Sequence, residues 1–180
     1  RHAQPGPQRL MDAESRRRAI AAELSGAGGP VAASALGERF GVSRQIIVGD
    51  VALLRAGGLE IVATPRGYLL GPGGEAGLRR TVAVRHGFEG MERELTIMVD
   101  NGCTVLDVVI EHAVYGQLTG ELRLKSRRDV AEFMARSREA GGSPLSTLTG
   151  GIHTHTLLCP DEESFLRCAA ELRAAGMLLE

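Results

Sequence analysis

Two kinds of segment are missing from this 180-residue sequence: a long apolar run and a closely spaced cysteine pair. Without about 20 consecutive apolar residues no membrane-spanning helix is expected, and nothing near the start resembles a secretory signal. The three cysteines, Cys103, Cys159 and Cys168, stand far apart along the chain and form no Cys-x-x-Cys motif. We therefore expect a cytoplasmic protein with neither a disulfide framework nor a thiolate zinc site.

A glycine-rich phosphate loop between a strand and a helix is also missing, so binding of an intact dinucleotide in the Rossmann manner is not expected. The charge is unevenly distributed. Residues 1–70 carry nine arginines against six carboxylates, a net charge of +3, whereas the remaining residues carry 12 basic against 16 acidic side chains, a net charge of −4. A mildly basic front half favours nucleic-acid contact through that half.

The front half predicts three helices in succession. Asp12 is placed to cap the first helix, and Leu36 and Phe40 mark one face of the second. After a tight turn, Ser43 is placed to cap a third helix that ends near Ala56. On that third helix the apolar positions fall on one side, which leaves the other side open.

A β-hairpin is predicted after the third helix, because two short strand-like runs flank Pro65-Arg66-Gly67. Three helices followed by a hairpin is the order of a winged helix-turn-helix, which we place at residues 11–70. Residues 1–10 are predicted to be a loose arm. The glycine-rich residues 71–77 are predicted to be a linker.

The third helix is predicted to read DNA, with Ser43, Arg44, Gln45 and Val48 on its open side. An arginine can fork onto guanine and a glutamine can pair with adenine in the major groove. Arg66, at the hairpin tip, is predicted to reach the DNA backbone or a minor groove. The alternative is a winged helix that docks a protein, with Arg44 and Gln45 merely solvated.

After the linker the pattern changes to strand, helix, strand, strand, helix, strand, helix. Ser126 and Asp161 are placed to cap the last two helices. This order predicts an α+β domain over residues 78–180, in which one sheet carries its helices on one side.

Histidines and one glutamate fall on these elements in a way that favours a metal site. His153 and His155 are two residues apart in a strand, so both rings point to the same face, and His86 continues the inward face of the first strand. Glu94 borders the apolar stripe of its helix, where an unpaired carboxylate is costly. Three imidazoles and one carboxylate directed toward one interior suit a divalent metal. Alternatively, each histidine is structural and Glu94 pairs with an arginine such as Arg80.

The front half closely resembles the winged helix of the niacin-responsive repressors, through residues 36–55 and then residues 61–70. One departure is Gly49, where that family is expected to carry a larger, often basic residue. Glycine inside a helix costs roughly 0.5–1 kcal/mol relative to alanine. We expect a phosphate contact to be missing there.

The back half resembles the three-histidine (3H) domain, which that family joins to this type of winged helix. The resemblance is carried by five separated motifs: Arg85-His86 with Glu94 eight residues on, Val99-Asp-Asn-Gly102, Asp107-Val-Val-Ile-Glu-His112, Val114-Tyr-Gly116, and residues 144–155 ending in His-Thr-His. It implies a metal held by His86, Glu94, His153 and His155. It also implies a niacin-type effector, nicotinic acid or nicotinamide, that acts as co-repressor.

One divalent transition metal per chain is expected, with nickel or zinc ahead of iron or manganese. The glycine-rich residues 140–151 contain Ser143, Ser146, Thr147 and Thr149, which either supply donors to an effector carboxylate or merely connect a helix to a strand. His112 has two interpretations as well. It is typical of the family as an effector-site residue, but it can equally pack beside Val108 and Ile110 at a strand end.

Taken together, these patterns predict an N-terminal winged helix-turn-helix followed by an α/β sandwich regulatory domain. We expect a homodimeric repressor of NAD-biosynthesis or niacin-uptake genes that binds operator DNA and has no catalytic residues. One alternative is a repressor for which the metal itself is the signal. Another is a metal-dependent hydrolase, with Glu92, Asp107 or Glu111 as its general base.

Overall fold

The structure is a computed structural model that describes residues 11–71, 76–141 and 144–180. The predicted N-terminal arm, the centre of the predicted linker and Ser143 lie outside the described residues. The chain divides into two compact units, residues 1–73 and residues 74–180. Within the described ranges, no helix has the length and hydropathy needed to cross a bilayer.

Three helices open the first unit: α1, Ala13–Gly26; α2, Ala33–Phe40; and α3, Arg44–Ala56. The predicted caps are confirmed, because the Asp12 carboxylate accepts from the backbone N–H of Ser15 and the Ser43 hydroxyl accepts from that of Ile46. The helices meet around a core of buried side chains, and burying each of them stabilises the fold by about 1.5–3 kcal/mol. They include Ile20, Leu24, Leu36, Ile47 and Val51.

An antiparallel hairpin completes this unit, with β1 at Ile61–Thr64 and β2 at Gly67–Leu70. Gly67 has a φ of +138°, and a Cβ there would lie 2.3 Å from the carbonyl carbon of Val31. Glycine is therefore required where the hairpin meets the chain entering α2. Three helices followed by this hairpin confirm the predicted winged helix-turn-helix.

The second unit alternates strands and helices: β3, Leu78–Arg85; a short 3-10 helix, Phe88–Gly90; α4, Met91–Asp100; β4, Thr104–His112; β5, Gly116–Leu124; α5, Arg127–Glu139; a second 3-10 helix, Leu145–Thr149; β6, Ile152–Cys159; and α6, Glu162–Ala174. The four strands form one antiparallel sheet in the order β3-β6-β4-β5. The predicted helix caps Ser126 and Asp161 are both present.

One core joins the sheet to the three helices of this unit. It contains Leu95 from α4, Met134 from α5 and Leu172 from α6, packed with Val105 and Leu157 from the sheet. Along β3 the more buried residues alternate with the more exposed ones, which is typical of a sheet covered on one face. The predicted α+β sandwich is confirmed.

The three cysteines meet in this core, although the sequence separates them widely. The pairing of Thr104 with Leu158 places Cys103 opposite Cys159, and Cys168 belongs to the same buried cluster. All three are free thiols. Burial raises the pKa of Cys159 to about 12, so this thiol stays protonated and unreactive at neutral pH.

Candidate functional site

Strand register brings the histidines of the second unit together. His153 pairs with Val84 and His155 with Val82, so both rings point into the core, where they are 4% and 2% exposed. His86 follows the last residue of β3. Glu94, in the first turn of α4, is completely buried.

The Nε2 atoms of the three histidines converge on the carboxylate of Glu94. The Nε2 atoms of His153 and His155 lie 3.0 Å and 2.9 Å from Oε1, and that of His86 contacts Oε2. One ligand atom from each of His86, Glu94 and His153 lies within 4.8 Å of the others. These three side chains therefore have the composition and spacing needed to hold a metal ion, and His155 lies against the same carboxylate.

The other ring nitrogen of each histidine faces a backbone carbonyl. A carbonyl oxygen can only accept, so each Nδ1 carries the hydrogen and donates it. In a neutral imidazole the Nε2 atom then presents a lone pair, as in histidines that bind metals. The three pairs are His86 with the carbonyl of Gly87 at 2.7 Å, His153 with that of Gly151 at 2.9 Å, and His155 with that of Asp107 at 2.7 Å.

With all three rings neutral, this arrangement points nitrogen lone pairs at a carboxylate. Such an arrangement is unfavourable unless a cation lies among these atoms. Nε2 of His155 is buried and has no hydrogen-bond partner among the described residues, although it lies 2.9 Å from Oε1 of Glu94. Burial alone would lower the pKa of His86 and of His155, but Glu94 outweighs burial and raises both. Burial likewise opposes the ionised form of Glu94, yet the histidines, His155 foremost, hold the pKa of Glu94 well below its usual value.

Two occupants can balance the buried carboxylate: protons on several imidazoles, or one divalent cation. Several buried imidazolium ions around one carboxylate would leave excess positive charge with a high desolvation cost. A divalent cation instead uses all the Nε2 lone pairs and the carboxylate at once, and three nitrogens with one oxygen is an ordinary ligand set for zinc and its neighbours. The three histidines and Glu94 therefore fit a divalent transition metal. The alternative partner for Glu94 is excluded, because Arg80 pairs with Glu162 at 2.7 Å.

A cavity of about 250 Å³ opens against the four side chains. Its other described walls are apolar or weakly polar and come from α4, β4, β5, α5 and the second 3-10 helix. They are Met91, Leu95, Val108, Gly120, Leu122, Phe133, Ser137, Pro144, Leu145 and Ser146. Among the described lining residues, Glu94 is the only carboxylate and no lysine or arginine is present. The space is suited to one small ligand.

Of the predicted effector residues, Ser146 lines this cavity and Thr147 and Thr149 do not. The hydroxyls of both threonines instead donate to backbone carbonyls, Thr147 to Pro144 at 2.8 Å and Thr149 to Ser146 at 3.2 Å. Their hydroxyls therefore brace the turn that leads into β6.

His112 also lies outside the described lining of the cavity. Its Nδ1 atom accepts from the backbone N–H groups of Val114 and Tyr115, at 3.1 Å and 3.2 Å, and its ring centroid lies 5.1 Å from that of Tyr115. It thus braces the turn between β4 and β5, a role that neither interpretation of the sequence included.

Gly120, Phe133 and Ser137 line the cavity but were not predicted from the sequence. Phe133 and Ser137 lie one turn apart on α5 and so share a face. That spacing could have placed Ser137 on the same face of α5 as Phe133. The sequence does not show, however, which part of the domain this face packs against.

The three carboxylates considered as general bases do not line the cavity. Asp107 accepts from the backbone N–H of Thr156 at 3.0 Å, Glu92 pairs with Arg138 at 3.2 Å, and Glu111 is exposed.

In the first unit, the side of α3 that was predicted to be open is exposed in part. Arg44 and Gln45 are exposed, and Val48 is half-buried. Gly49 is exposed too, and a Cβ there would meet nothing within 4 Å. Arg66 lies in the hairpin turn and is half-buried, with its backbone N–H donating to the hydroxyl of Thr64 at 3.2 Å.

A buried ion pair, absent from our sequence predictions, fixes α3 against α1. Asp50 is 4% exposed, and its carboxylate accepts from Nε of Arg16 at 2.6 Å and from its terminal nitrogen at 3.2 Å. Arg17 lies 3.7 Å from the same carboxylate. The sequence did contain a signal for this ion pair, because Asp50 lies three residues after Ile47 on the apolar side of α3. Asp50 therefore orients the helix that carries Arg44 and Gln45.

Comparison with known proteins gives matches in both units. Residues 79–180 match the family described as the 3H domain, and residues 16–69 match an HTH domain. The 3H match ends with the last residue of the sequence and includes all four residues of the His/Glu cluster.

Two relatives match nearly over their full lengths. The probable transcription repressor NiaR of Thermotoga maritima is 46% identical over 151 residues, which cover 84% of this chain and 86% of the relative. The transcription repressor NadR of Bacillus subtilis is 37% identical over 175 residues, which cover 96% of this chain and 97% of the relative. Both relatives are named as repressors rather than enzymes.

Proposed function

Because the chain belongs to the 3H-domain family of DNA-binding transcription repressors and not to a family of enzymes, we propose that it represses genes of NAD biosynthesis or niacin uptake. Its α3 reads operator DNA through Ser43, Arg44, Gln45 and Val48, with Arg66 on the backbone or in a minor groove. Nicotinic acid or nicotinamide acts as co-repressor in the regulatory unit. The protein works in the cytoplasm as a homodimer on paired half-sites.

The observation that carries the proposal is the convergence of three Nε2 atoms on Glu94 while each Nδ1 donates to a carbonyl. His86, Glu94, His153 and His155 hold one divalent transition metal, with nickel or zinc ahead of iron or manganese. When bound, the metal supplies a positive charge and a coordination position for a small donor ligand. The carbonyls of Gly87, Gly151 and Asp107 keep the three rings in the binding tautomer.

The adjoining cavity supports an organic effector as well as a metal. Its volume of about 250 Å³ and its apolar walls suit a single small ring better than a nucleotide. Residues from α4, α5 and β6 meet around this space. A ligand there biases how these elements pack, and by linkage DNA binding strengthens effector binding by the same factor.

The test is an operator-binding titration on promoter fragments from the protein's own upstream region and from niacin genes. Nicotinic acid and nicotinamide are each titrated with and without chelator. We expect one of them to tighten specific binding and chelator to cancel that effect. Binding that responds to added metal but to neither compound would replace the proposal with a metal-sensing repressor, and absence of specific binding under every condition would reject it.

A further inference from the structure

We infer that Asp107 is a positioning residue for the metal site: its side chain holds an irregular stretch of β4 in place, so that its own backbone carbonyl orients the ring of His155. The inference rests on the proposed function, because it takes His155 as one of the metal ligands. It gives a role in metal binding to a side chain that lies outside the described lining of the cavity.

The ring of His155 takes its hydrogen-bond acceptor from a different place than the other two rings do. His86 and His153 donate from Nδ1 to carbonyls that lie within two residues of themselves. Nδ1 of His155 instead donates to the carbonyl of Asp107, which is 48 positions away along the chain and belongs to the neighbouring strand. The direction in which Nε2 of His155 points therefore depends on how β4 lies against β6.

Strand β4 is irregular at the point where it supplies this carbonyl. Between its pairs with Leu157 and Thr154 of β6, β4 has three residues where β6 has two, so β4 contains one extra residue there. Such a bulge interrupts the ladder of backbone hydrogen bonds, and the groups left over must find other partners. Asp107 is the middle residue of this interval, and His155 and Thr156 are the two residues opposite it.

The side chain of Asp107 supplies an acceptor where the ladder is interrupted. Its Oδ1 atom accepts from the backbone N–H of Thr156 at 3.0 Å, while its backbone carbonyl accepts from the ring of His155 at 2.7 Å. One residue of β4 thus fixes two consecutive residues of β6. Without the side-chain acceptor the N–H of Thr156 loses this partner, and we expect the bulge to shift and to move the carbonyl away from His155.

The hydrogen bond at Nδ1 is the contact that orients the ring of His155. The Nε2 atom of this ring has no hydrogen-bond partner among the residues that the structure describes. A side chain that binds a metal has to be held within about 0.5 Å of its productive position. Any shift of the Asp107 carbonyl should therefore weaken metal binding, although Asp107 does not touch the metal.

The experiment measures metal binding by the full chain with Asp107 changed in two ways. Asp107→Ala removes the side-chain acceptor, whereas Asp107→Asn keeps an acceptor oxygen and removes only the charge. Zinc affinity is measured by competition with a chelator, and the absorption spectrum of the cobalt(II)-loaded chain reports the geometry of the ligands. We expect Asp107→Ala to bind zinc about 10- to 100-fold more weakly and to change the cobalt spectrum, while Asp107→Asn resembles the wild-type protein in both.

Glu111→Ala is the matched control, because it removes a carboxylate from an exposed position of the same strand, and it should leave both readouts unchanged. Near-ultraviolet circular dichroism checks that each variant is folded. If Asp107→Ala does not fold, Asp107→Leu takes its place, since leucine has nearly the size of asparagine and no acceptor.

Two results would overturn the role of Asp107 while leaving the metal site in place. One is a zinc affinity and a cobalt spectrum that stay unchanged in Asp107→Ala, even if that variant unfolds at a lower temperature, because the side chain would then be merely structural. The other is an equal loss in Asp107→Ala and Asp107→Asn, because charge rather than the hydrogen bond would then be responsible. Failure of the proposed metal site looks different, since the wild-type protein itself would then bind neither zinc nor cobalt(II).

Discussion

Nε2 of His155 lies 2.9 Å from Oε1 of Glu94 without forming a hydrogen bond to it. The opposite nitrogen of the ring donates to the carbonyl of Asp107 at 2.7 Å, so the buried Nε2 of a neutral ring carries only a lone pair. Two acceptors this close repel unless a proton or a metal ion balances them. The contact between α4 and β6 thus leaves a buried position that a proton or a metal ion could occupy.

The metal-free protein should lose stability in its second unit as the pH rises above neutrality. Burial opposes the charged forms of His86 and His155, but Glu94 raises the pKa of both above the ordinary value of 6.5. Their contribution is fully present below that value and is lost as the pH rises through the raised values. The lowered pKa of Glu94 acts oppositely, because its contribution is present above 4.5 and is lost as the pH falls through the lowered value.

Calorimetric unfolding in chelator, followed from mildly acidic to alkaline pH, measures this dependence. Restoring nickel or zinc should remove the decline at alkaline pH, because metal binding favours the deprotonated imidazoles. Glu94→Gln is the reference variant, which should show little of either trend. A transition that becomes more stable as the metal-free protein passes from acidic to alkaline pH would contradict the assigned charges.

Filling the cavity at Gly120 should separate effector binding from metal binding. A side chain there meets Val108 and Leu145, each 3.3 Å from the Cβ position, and projects into the ligand space. Gly120→Val suits a strand, so we expect the fold and one metal per chain to persist while effector affinity falls by about 1–3 kcal/mol, or roughly 5- to 150-fold, from overpacking.

Thr119→Val is the control for this prediction, because it adds the same residue type to the neighbouring exposed position of β5. Calorimetry with nicotinic acid and elemental analysis give the two readouts. Undiminished effector affinity in Gly120→Val would mean that the effector binds elsewhere.

Local signals in the sequence were enough for the helix caps and for the two strand histidines. Capping by Asp12 and Ser43 needs only the three residues that follow, and a spacing of two fixes His153 and His155 on one face of any strand. Glu94 was placed by the apolar stripe of its own helix. These features depend on short-range geometry, which the sequence contains directly.

Features that depend on tertiary packing could not be predicted in this way. Arg16 and Asp50 are 34 positions apart, and only the crossing of α1 over α3 brings them together. The same holds for Ser137, whose place in the cavity depends on how α5 lies over the sheet. For His112 a local interaction differs from the predictions. Its ring nitrogen accepts hydrogen bonds from the turn that follows β4, which neither the effector-site nor the packing interpretation included.

Arg44→Ala should weaken specific operator binding by about 1–3 kcal/mol, or roughly 5- to 150-fold, because a forked contact to a base is lost. Binding to random-sequence DNA should change much less. Arg39→Ala is the control: Arg39 is an exposed arginine on α2 that pairs with Glu23 at 2.8 Å. Fluorescence anisotropy with operator and random duplexes measures both affinities. An unchanged operator affinity would show that Arg44 is not one of the residues that contact operator bases.

Introducing a positive charge at Gly49 should tighten DNA binding, because the position is exposed on α3 and open space surrounds it. Gly49→Arg should steepen the slope of log affinity against log salt by about 0.9, the value for one added phosphate contact. Gly49→Ala supplies the control, since it should stabilise the helix by roughly 0.5–1 kcal/mol without changing the slope. Equal slopes for the two variants would place Gly49 away from the phosphates.

The most direct test of the metal centre is the metal content of the purified chain, compared between the wild-type protein and the double variant His153→Ala with His155→Ala. Native mass spectrometry and elemental analysis count the ions per chain, and circular dichroism with operator-binding assays checks that the winged helix still folds. We predict one divalent transition metal per wild-type chain, none in the double variant, and a winged helix that is intact in both. Stoichiometric metal retained by the double variant would contradict the assignment of His86, Glu94, His153 and His155 as the ligand set.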